Sequence, residues 1–239
     1  KREENLRGYF AAISAMDEQI GRLLDAVEEQ GLADNTVILF TADNGMSMGQ
    51  HGVWGKGNGT FPMNMYDSAV KVPFLISWPG HIPANTVCSE MISACDLLPT
   101  ILKLTGLSDK QPTGLPGRSF TELLEGRQLE HRDEVVIFDE YGPVRMIRTK
   151  EWKYVHRYPY GKHELYHLVD DPGEEKNLYG LPEYKKLVTQ LKGRMEKWFC
   201  TYSDPAIDGV RSAVNGSGQL CRPGVYAIYE DPFAPKGVE

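Results

Sequence analysis

Cysteine is scarce and unpatterned in this chain. The four thiols are Cys88, Cys95, Cys200 and Cys221. None are spaced as C-x-x-C, which excludes a zinc knuckle and a thioredoxin-like redox pair. They read as buried or free thiols, and nothing in the sequence pairs Cys200 with Cys221. Long apolar runs are also missing: none approaches the roughly 18 residues that a membrane span needs. Positive charge is not clustered. With a net charge of −7 and no basic stripe, nucleic acid is not an expected partner. There is no internal repeat and no low-complexity segment, which excludes solenoids and arrays. The opening Lys1-Arg2-Glu3-Glu4 has no initiator Met and no apolar core of the signal-peptide kind. A start inside charged helical sequence is expected of the later part of a longer protein, and it leaves the compartment open.

What is present is globular. Of 239 residues, 41% are hydrophobic and 25% charged, enough for one large domain or one domain plus a smaller one. Leu6, Tyr9, Phe10, Ile13, Met16, Ile20, Leu23, Leu24 and Val27 recur at steps of three and four. This predicts an amphipathic helix over residues 3–30, capped by Gly31. Gly21 beside its apolar face would let a strand approach closely. The run Thr36 to Thr41 is apolar on both faces and bounded by turn residues, which predicts a central strand of a parallel sheet. Val72 to Trp78 is a second such run, with Pro73 at its start. Asp96 to Leu104 predicts a helix ended by Gly106. After a polar, Pro- and Gly-rich connection the pattern changes to short strands at 134–138, 144–149, 152–157 and 164–168, spaced like an antiparallel meander. Tyr184, Leu187, Val188, Leu191, Met195 and Trp198 then mark one more helix. The fold expected is α/β over residues 1–130, a small α+β subdomain with an antiparallel sheet over 131–202, and an extended tail over 203–239.

In parallel sheets ligands bind beyond the carboxyl ends of the strands. Asp43 and Asn44 stand two and three residues past Thr41. A carboxylate beside an amide oxygen is a pair of hard donors suited to calcium or magnesium. Alone, Asp43-Asn44-Gly45 is also ordinary turn chemistry. The loop Gly49-Gln50-His51-Gly52-Val53-Trp54-Gly55-Lys56-Gly57 adds weight, because glycine-rich backbone lets a cation approach an anion closely. Lys56 would be a point charge neutralising a leaving oxygen. His51 could protonate a leaving group, bind an anion oxygen or pin the loop. Metal plus lysine suits a sulfate or phosphate ester. Tyr158, Tyr160 and the Tyr226 to Tyr229 stretch could line a carbohydrate or aryl pocket, or simply pack. Asn58-Gly59-Thr60 and Asn215-Gly216-Ser217 fit the glycosylation sequon, which matters only in a eukaryotic secreted protein.

Taken in order, these residues resemble the sulfatase family of the alkaline-phosphatase superfamily. The matching segments are Thr41-Ala42-Asp43-Asn44-Gly45, Gly49-Gln50-His51-Gly52 leading to Trp54-Gly55-Lys56, and Val72-Pro73-Phe74 with Trp78-Pro79-Gly80. Asp96-Leu97-Leu98-Pro99-Thr100 resembles a D-x-x-P-T helix, and Gly117-Arg118-Ser119-Phe120 a G-x-S segment. Lys153-Tyr154-Val155, Glu164-Leu165-Tyr166, Asp170 to Glu174 and Asn177-Leu178 resemble the family's C-terminal subdomain. The resemblance implies an alkaline-phosphatase-like sheet sandwiched by helices. It implies that Asp43 and Asn44 ligate an active-site Ca2+ (Mg2+ in some members), and that Lys56 contacts the sulfate and its ester oxygen. It further implies a formylglycine nucleophile, made from Cys or Ser in a C/S-x-P/A-x-R motif. The hydrate of that residue attacks sulfur and releases the alcohol, and the aldehyde reforms by expelling sulfate.

The chain departs from that pattern. No cysteine fits the nucleophile motif: Cys221-Arg222-Pro223 comes nearest but lacks the Arg and lies at the wrong end. The family's N-terminal aspartate pair and upstream Lys and His are absent as well, and in the family all precede this segment. The expectation is therefore the C-terminal portion of a sulfatase acting on aryl or carbohydrate sulfate esters, inactive alone and carrying half of the site. Its exposed apolar edge would pair with the missing N-terminal half or with another copy of the chain. The alternatives are a phosphonate or phosphodiester hydrolase of the same superfamily, disfavoured by Asp-Asn in place of Asp-His, and a non-catalytic binding module.

Overall fold

The computed structural model describes residues 2–60, 63–127, 132–139, 142–158, 161–206 and 208–211. Helix α1 spans Arg2–Glu29. It ends where Gly31 takes a φ of +66°, which brings Gly31 N to Glu28 O (2.9 Å) and Leu32 N to Val27 O (3.0 Å). That closure satisfies carbonyls the helix end would otherwise orphan. The amphipathic stripe is present, yet no residue of α1 is buried; Phe10 is 59% and Leu23 67% exposed. A Cβ built on Gly21 meets nothing within 4 Å, so the strand expected against it is not among the described residues.

Strand β1 covers Ile38–Thr41. It forms a two-stranded antiparallel pair with a later strand, Phe74–Ser77, in the register Ile38↔Ser77 to Thr41↔Phe74. The parallel neighbour expected of β1 is thus replaced, among the described residues, by an antiparallel one. Apolar side chains on both faces report that both faces can be covered. They carry no information on which way the neighbouring strand runs. Between the two lie a small hairpin, β2 (Ser47–Met48) with β3 (Trp54–Gly55), and the single helical turn α2 (Asp67–Val70). The strand Phe74–Ser77 is β4.

Helix α3 (Leu97–Leu104) follows a 3-10 turn at Ala94–Asp96. Ser93 and Asp96 form a reciprocal capping box there, and Pro99 sits in the first turn, where its missing N–H is no loss. Gly106, at φ +73°, ends the helix. A short helix α4 (Thr121–Leu124) leads to the meander of β5 (Val135–Phe138), β6 (Val144–Arg148), β7 (Trp152–Arg157) and β8 (Glu164–His167), all antiparallel in chain order. Helix α5 (Lys185–Tyr202) closes the described fold.

This sheet is covered on both faces, and its period of two sorts the side chains. The cross-strand set Val136, Ile147, Tyr154 and Leu165 faces Leu191, Met195 and Phe199 of α5, which recur every four residues. The opposite set, Val144, Met146 and Val155, is buried under Met63 and Met65. Residues 63–70 therefore form a strap lying on the second face, and they come directly from the glycine-rich loop.

The α5 face also carries two imidazoles, His156 buried and His163 half-buried. His156 and His163 stack with centroids 4.0 Å apart. His156 Nδ1 meets the Tyr154 hydroxyl at 2.7 Å, and His163 Nδ1 accepts from Arg157 N at 3.2 Å. Burial, then His163, Lys192 and Arg145, push His156 down to about 3. Burial, then Arg157 and Lys192, push His163 to about 4. Both folded values lie below the ordinary 6.5, so the unfolded chain binds more protons in between. Their contribution is complete above pH 6.5 and is lost as pH falls toward 4 and then 3, at about 1.4 kcal/mol per pH unit and proton. The expected result is a urea midpoint that drops between pH 7.5 and 5. A His156→Asn/His163→Asn variant, which keeps an acceptor at each Nδ1 position, should flatten the drop. An equally steep drop in that variant would assign it elsewhere.

Candidate functional site

The turn after β1 is fixed by its own side chains. Asp43 Oδ1 accepts from Asn44 N at 2.8 Å, and Asn44 Nδ2 donates to Gly45 O at 2.9 Å. That second bond sets the amide's orientation and leaves its oxygen pointing at Lys56, whose Nζ donates to Asn44 Oδ1 at 2.9 Å. Gly45 is required by close approach: a Cβ there would lie 2.2 Å from Ser68 O, and Gly45 N donates to Ala69 O at 2.9 Å. A hydroxyl contact of 2.7 Å between Ser47 and Ser68 closes the seam.

Lys56 follows β3 at the end of the loop. The loop turns through Gly49 (φ +103°), Gly52 (+72°) and Gly55 (+126°), a region L side chains rarely adopt. His51 itself stands at φ +53°. Its ring stacks flat on Tyr66 at 3.7 Å and 4°. Among the described residues no hydrogen bond joins His51 to Asp43, Asn44 or Lys56. The structure thus brings Asn44 and Lys56 into contact, sets Asp43 beside them, and holds His51 against the strap.

Asn64 and Tyr66 carry no signal in the sequence. Asn64 is 1% exposed. Its Nδ2 reaches Lys56 O (3.2 Å), Gly57 O (3.1 Å) and Thr60 Oγ1 (3.3 Å), and its backbone N donates to Gly57 O at 3.0 Å. Three acceptors on one side decide the orientation of the amide, at the cost of leaving Oδ1 buried without a hydrogen-bond partner among the described residues. An Asn inside a Pro- and Met-containing stretch carries no periodicity, so no local pattern marks it.

As metal donors, Asp43 is exposed and Asn44 half-buried. Two hard oxygens fit part of a calcium or magnesium shell, which takes roughly six to eight donors for calcium. Among the described residues no group of three or more His, Cys, Asp or Glu could hold a metal. A cation on Asn44 Oδ1 would sit beside the Lys56 ammonium, and the two repel unless an anion lies between them. The arrangement is chemically consistent as cation, anion and ammonium in sequence.

Other candidates lie elsewhere or outside the described residues. Cys88, Cys95 and Cys200 are free and exposed rather than buried, and Cys221 lies outside the described residues. Tyr158 is half-buried and donates to Glu196 at 3.3 Å, a packing role; Tyr160 and Tyr226 to Tyr229 are outside. No helix of the described residues is long and apolar enough to cross a membrane.

Residues 49–200 match the family model described as N-sulphoglucosamine sulphohydrolase, C-terminal. An N-acetylglucosamine-6-O-sulfatase of Bacteroides thetaiotaomicron is 31% identical over 85% of the chain and 37% of its own length. Human arylsulfatase A is 33% identical over 80% of the chain and 44% of its own length. The solved structure of BT4656 in complex with its substrate D-glucosamine-2-N,6-O-disulfate superposes with a TM-score of 0.71 and 30% identity, covering 82% of this chain and 40% of that one. A phosphonate monoester hydrolase of Agrobacterium radiobacter superposes at 0.68 and 26%, covering 88% and 44%. The chain spans less than half the length of these relatives.

Proposed function

Since the chain belongs to the sulfatase family, in its C-terminal part, we propose that it supplies one side of the active site of a sulfate-ester hydrolase. Asp43 and Asn44 hold a divalent cation, Ca2+ or Mg2+, and Lys56 meets the sulfate from the other side. The bound cation would polarise the ester. Lys56 neutralises the charge that develops on the leaving oxygen. His51 stays on Tyr66 and shapes the loop. The nucleophile, a formylglycine, and the remaining metal ligands come from a segment outside these 239 residues, so this chain alone does not turn over. The substrate is a sulfated carbohydrate or aryl sulfate, and the two domains are divided near residue 130. The uncovered face of α1, with Phe10 and Leu23, docks on that other segment, or on a second copy in its absence.

The observation that carries this reading is the Lys56 ammonium on Asn44 Oδ1, next to the Asp43 carboxylate. A second reading, phosphonate monoester hydrolysis, is favoured by the likeness to the Agrobacterium enzyme. The longer polypeptide is expected to hydrolyse an aryl sulfate with a higher kcat/KM than a phenyl phosphonate ester. The reverse order would favour the phosphonate reading.

A further inference from the structure

Lys153 and Glu174 sit in segments that resemble family motifs, yet neither touches the site. They meet each other under the strap. Lys153, on β7, is 0% exposed. Its Nζ contacts Asp67 Oδ1, lies 2.5 Å from Glu174 Oε1 and donates to Met65 O at 3.0 Å. Glu174 is also buried and stands at φ +58°, a conformation costly for a non-glycine residue. There its Oε2 accepts from Asp67 N, at the start of α2, at 2.6 Å. Arg148 of β6 adds an ion pair to Asp67 Oδ2 at 3.2 Å. Burial raises the Asp67 carboxyl, but Lys153 and then Arg148 outweigh it and hold it below its ordinary value. Two cations face two carboxylates, so the cluster is balanced within itself.

These charges grip the strap and nothing else of the site. The strap in turn contacts the site at four places: Asn64 on the carbonyls of Lys56 and Gly57, Tyr66 on the His51 ring, Ser68 on Ser47, and Ala69 O on Gly45 N. We propose that the Lys153–Asp67–Glu174 cluster is a positioning device for the anion site, fixing the strap to the sheet and, through Asn64, the backbone that carries the Lys56 ammonium. Lys56 is exposed, on a long flexible stem, so the place of its main chain decides what it can reach. The significance for catalysis rests on the sulfate-ester reading above; the mechanical coupling does not.

Amide hydrogen exchange on the 239-residue chain tests it. Glu174→Gln keeps the shape and an acceptor for Asp67 N but removes the charge facing Lys153. The amides of Gly59, Asn64 and Gly45 should exchange at least about tenfold faster, while those of β6 and β7 stay near wild type. Asn64→Ala should speed Gly59 and leave Gly45 unchanged. Uniform acceleration across β6 and β7 would mean general destabilisation and overturn the proposal, as would unchanged exchange at the three site amides. In the longer polypeptide, Glu174→Gln should lower kcat more than it changes KM; unchanged kcat with a loosened strap would overturn the positioning role. If the wild-type polypeptide hydrolyses no sulfate ester, the functional reading fails while the exchange result still decides the coupling.

Discussion

Asp96→Ala should destabilise the fold by about 3–5 kcal/mol, the cost of leaving one partner of a buried ion pair uncompensated. Asp96 is 0% exposed. Its carboxylate accepts from Arg132 Nε at 2.9 Å and from a second Arg132 nitrogen, from Arg118 N at 2.7 Å and from Ser93 N at 2.8 Å. Burial raises this carboxyl, but the Arg132 hydrogen bond and then the two amides more than offset it, and it titrates below its ordinary value. Thr100 completes the joint by donating to Asp96 O at 2.6 Å and accepting from Phe120 N at 3.1 Å. Gly117 passes so close that a Cβ would fall 1.9 Å from Cys95 O. The substitution removes the carboxylate facing the Arg132 guanidinium, which keeps its bond to Pro116 O at 3.1 Å, and strands two backbone donors at once. Urea unfolding at pH 7.5 measures the loss. As a contrast, Lys150→Ala breaks the exposed contact with Glu90 at 3.1 Å and should cost no more than about 1 kcal/mol. A loss at Asp96 no larger than that at Lys150 would contradict the assignment.

That joint shows where the sequence was legible and where it was not. Asp96-Leu97-Leu98-Pro99-Thr100 and Gly117 to Phe120 were visible as family-like motifs, with no stated task. The structure gives them one, and it is architectural. Periodicity located α1, α3, α5 and the meander to within a few residues, because a period of 3.6 or 2 is set by which faces are buried. It does not identify the neighbour of β1, which among the described residues is the antiparallel β4, because strand direction is not encoded in the strand's own side chains. Asp43, Asn44 and Lys56 could be singled out because their chemistry is local and their loop is glycine-rich. The residues that arrange them could not. Asn64 acts through one buried amide, and Lys153 and Asp67 are 86 residues apart, so nothing in the sequence pairs them. Only the fold puts a buried lysine under the strap.

In the proposed site Lys56 would act as a point charge on the anion. Its Nζ rests on Asn44 Oδ1, and in the proposed site it would swing from that oxygen to the anion when a cation takes its place there. An arginine would fill the same volume with a planar fork whose donors point in fixed directions, so Lys56→Arg should not restore function. Asp43→Ala should act differently: by removing a hard oxygen donor of the proposed cation site it should weaken any response to added calcium.

The most direct test is the turnover of an aryl sulfate with calcium by the longer polypeptide and its Lys56→Ala and Asp43→Ala variants, each checked for an unchanged urea midpoint. The expected result is a fall in kcat of about 10²–10³-fold for Lys56→Ala, as for loss of one preorganised donor to a developing oxyanion. Asp43→Ala should lose its calcium response. A folded Lys56→Ala variant within about threefold of wild type would mean that transition-state charge is met elsewhere, and would contradict the assignment of this turn and loop as the sulfate-binding half of the site.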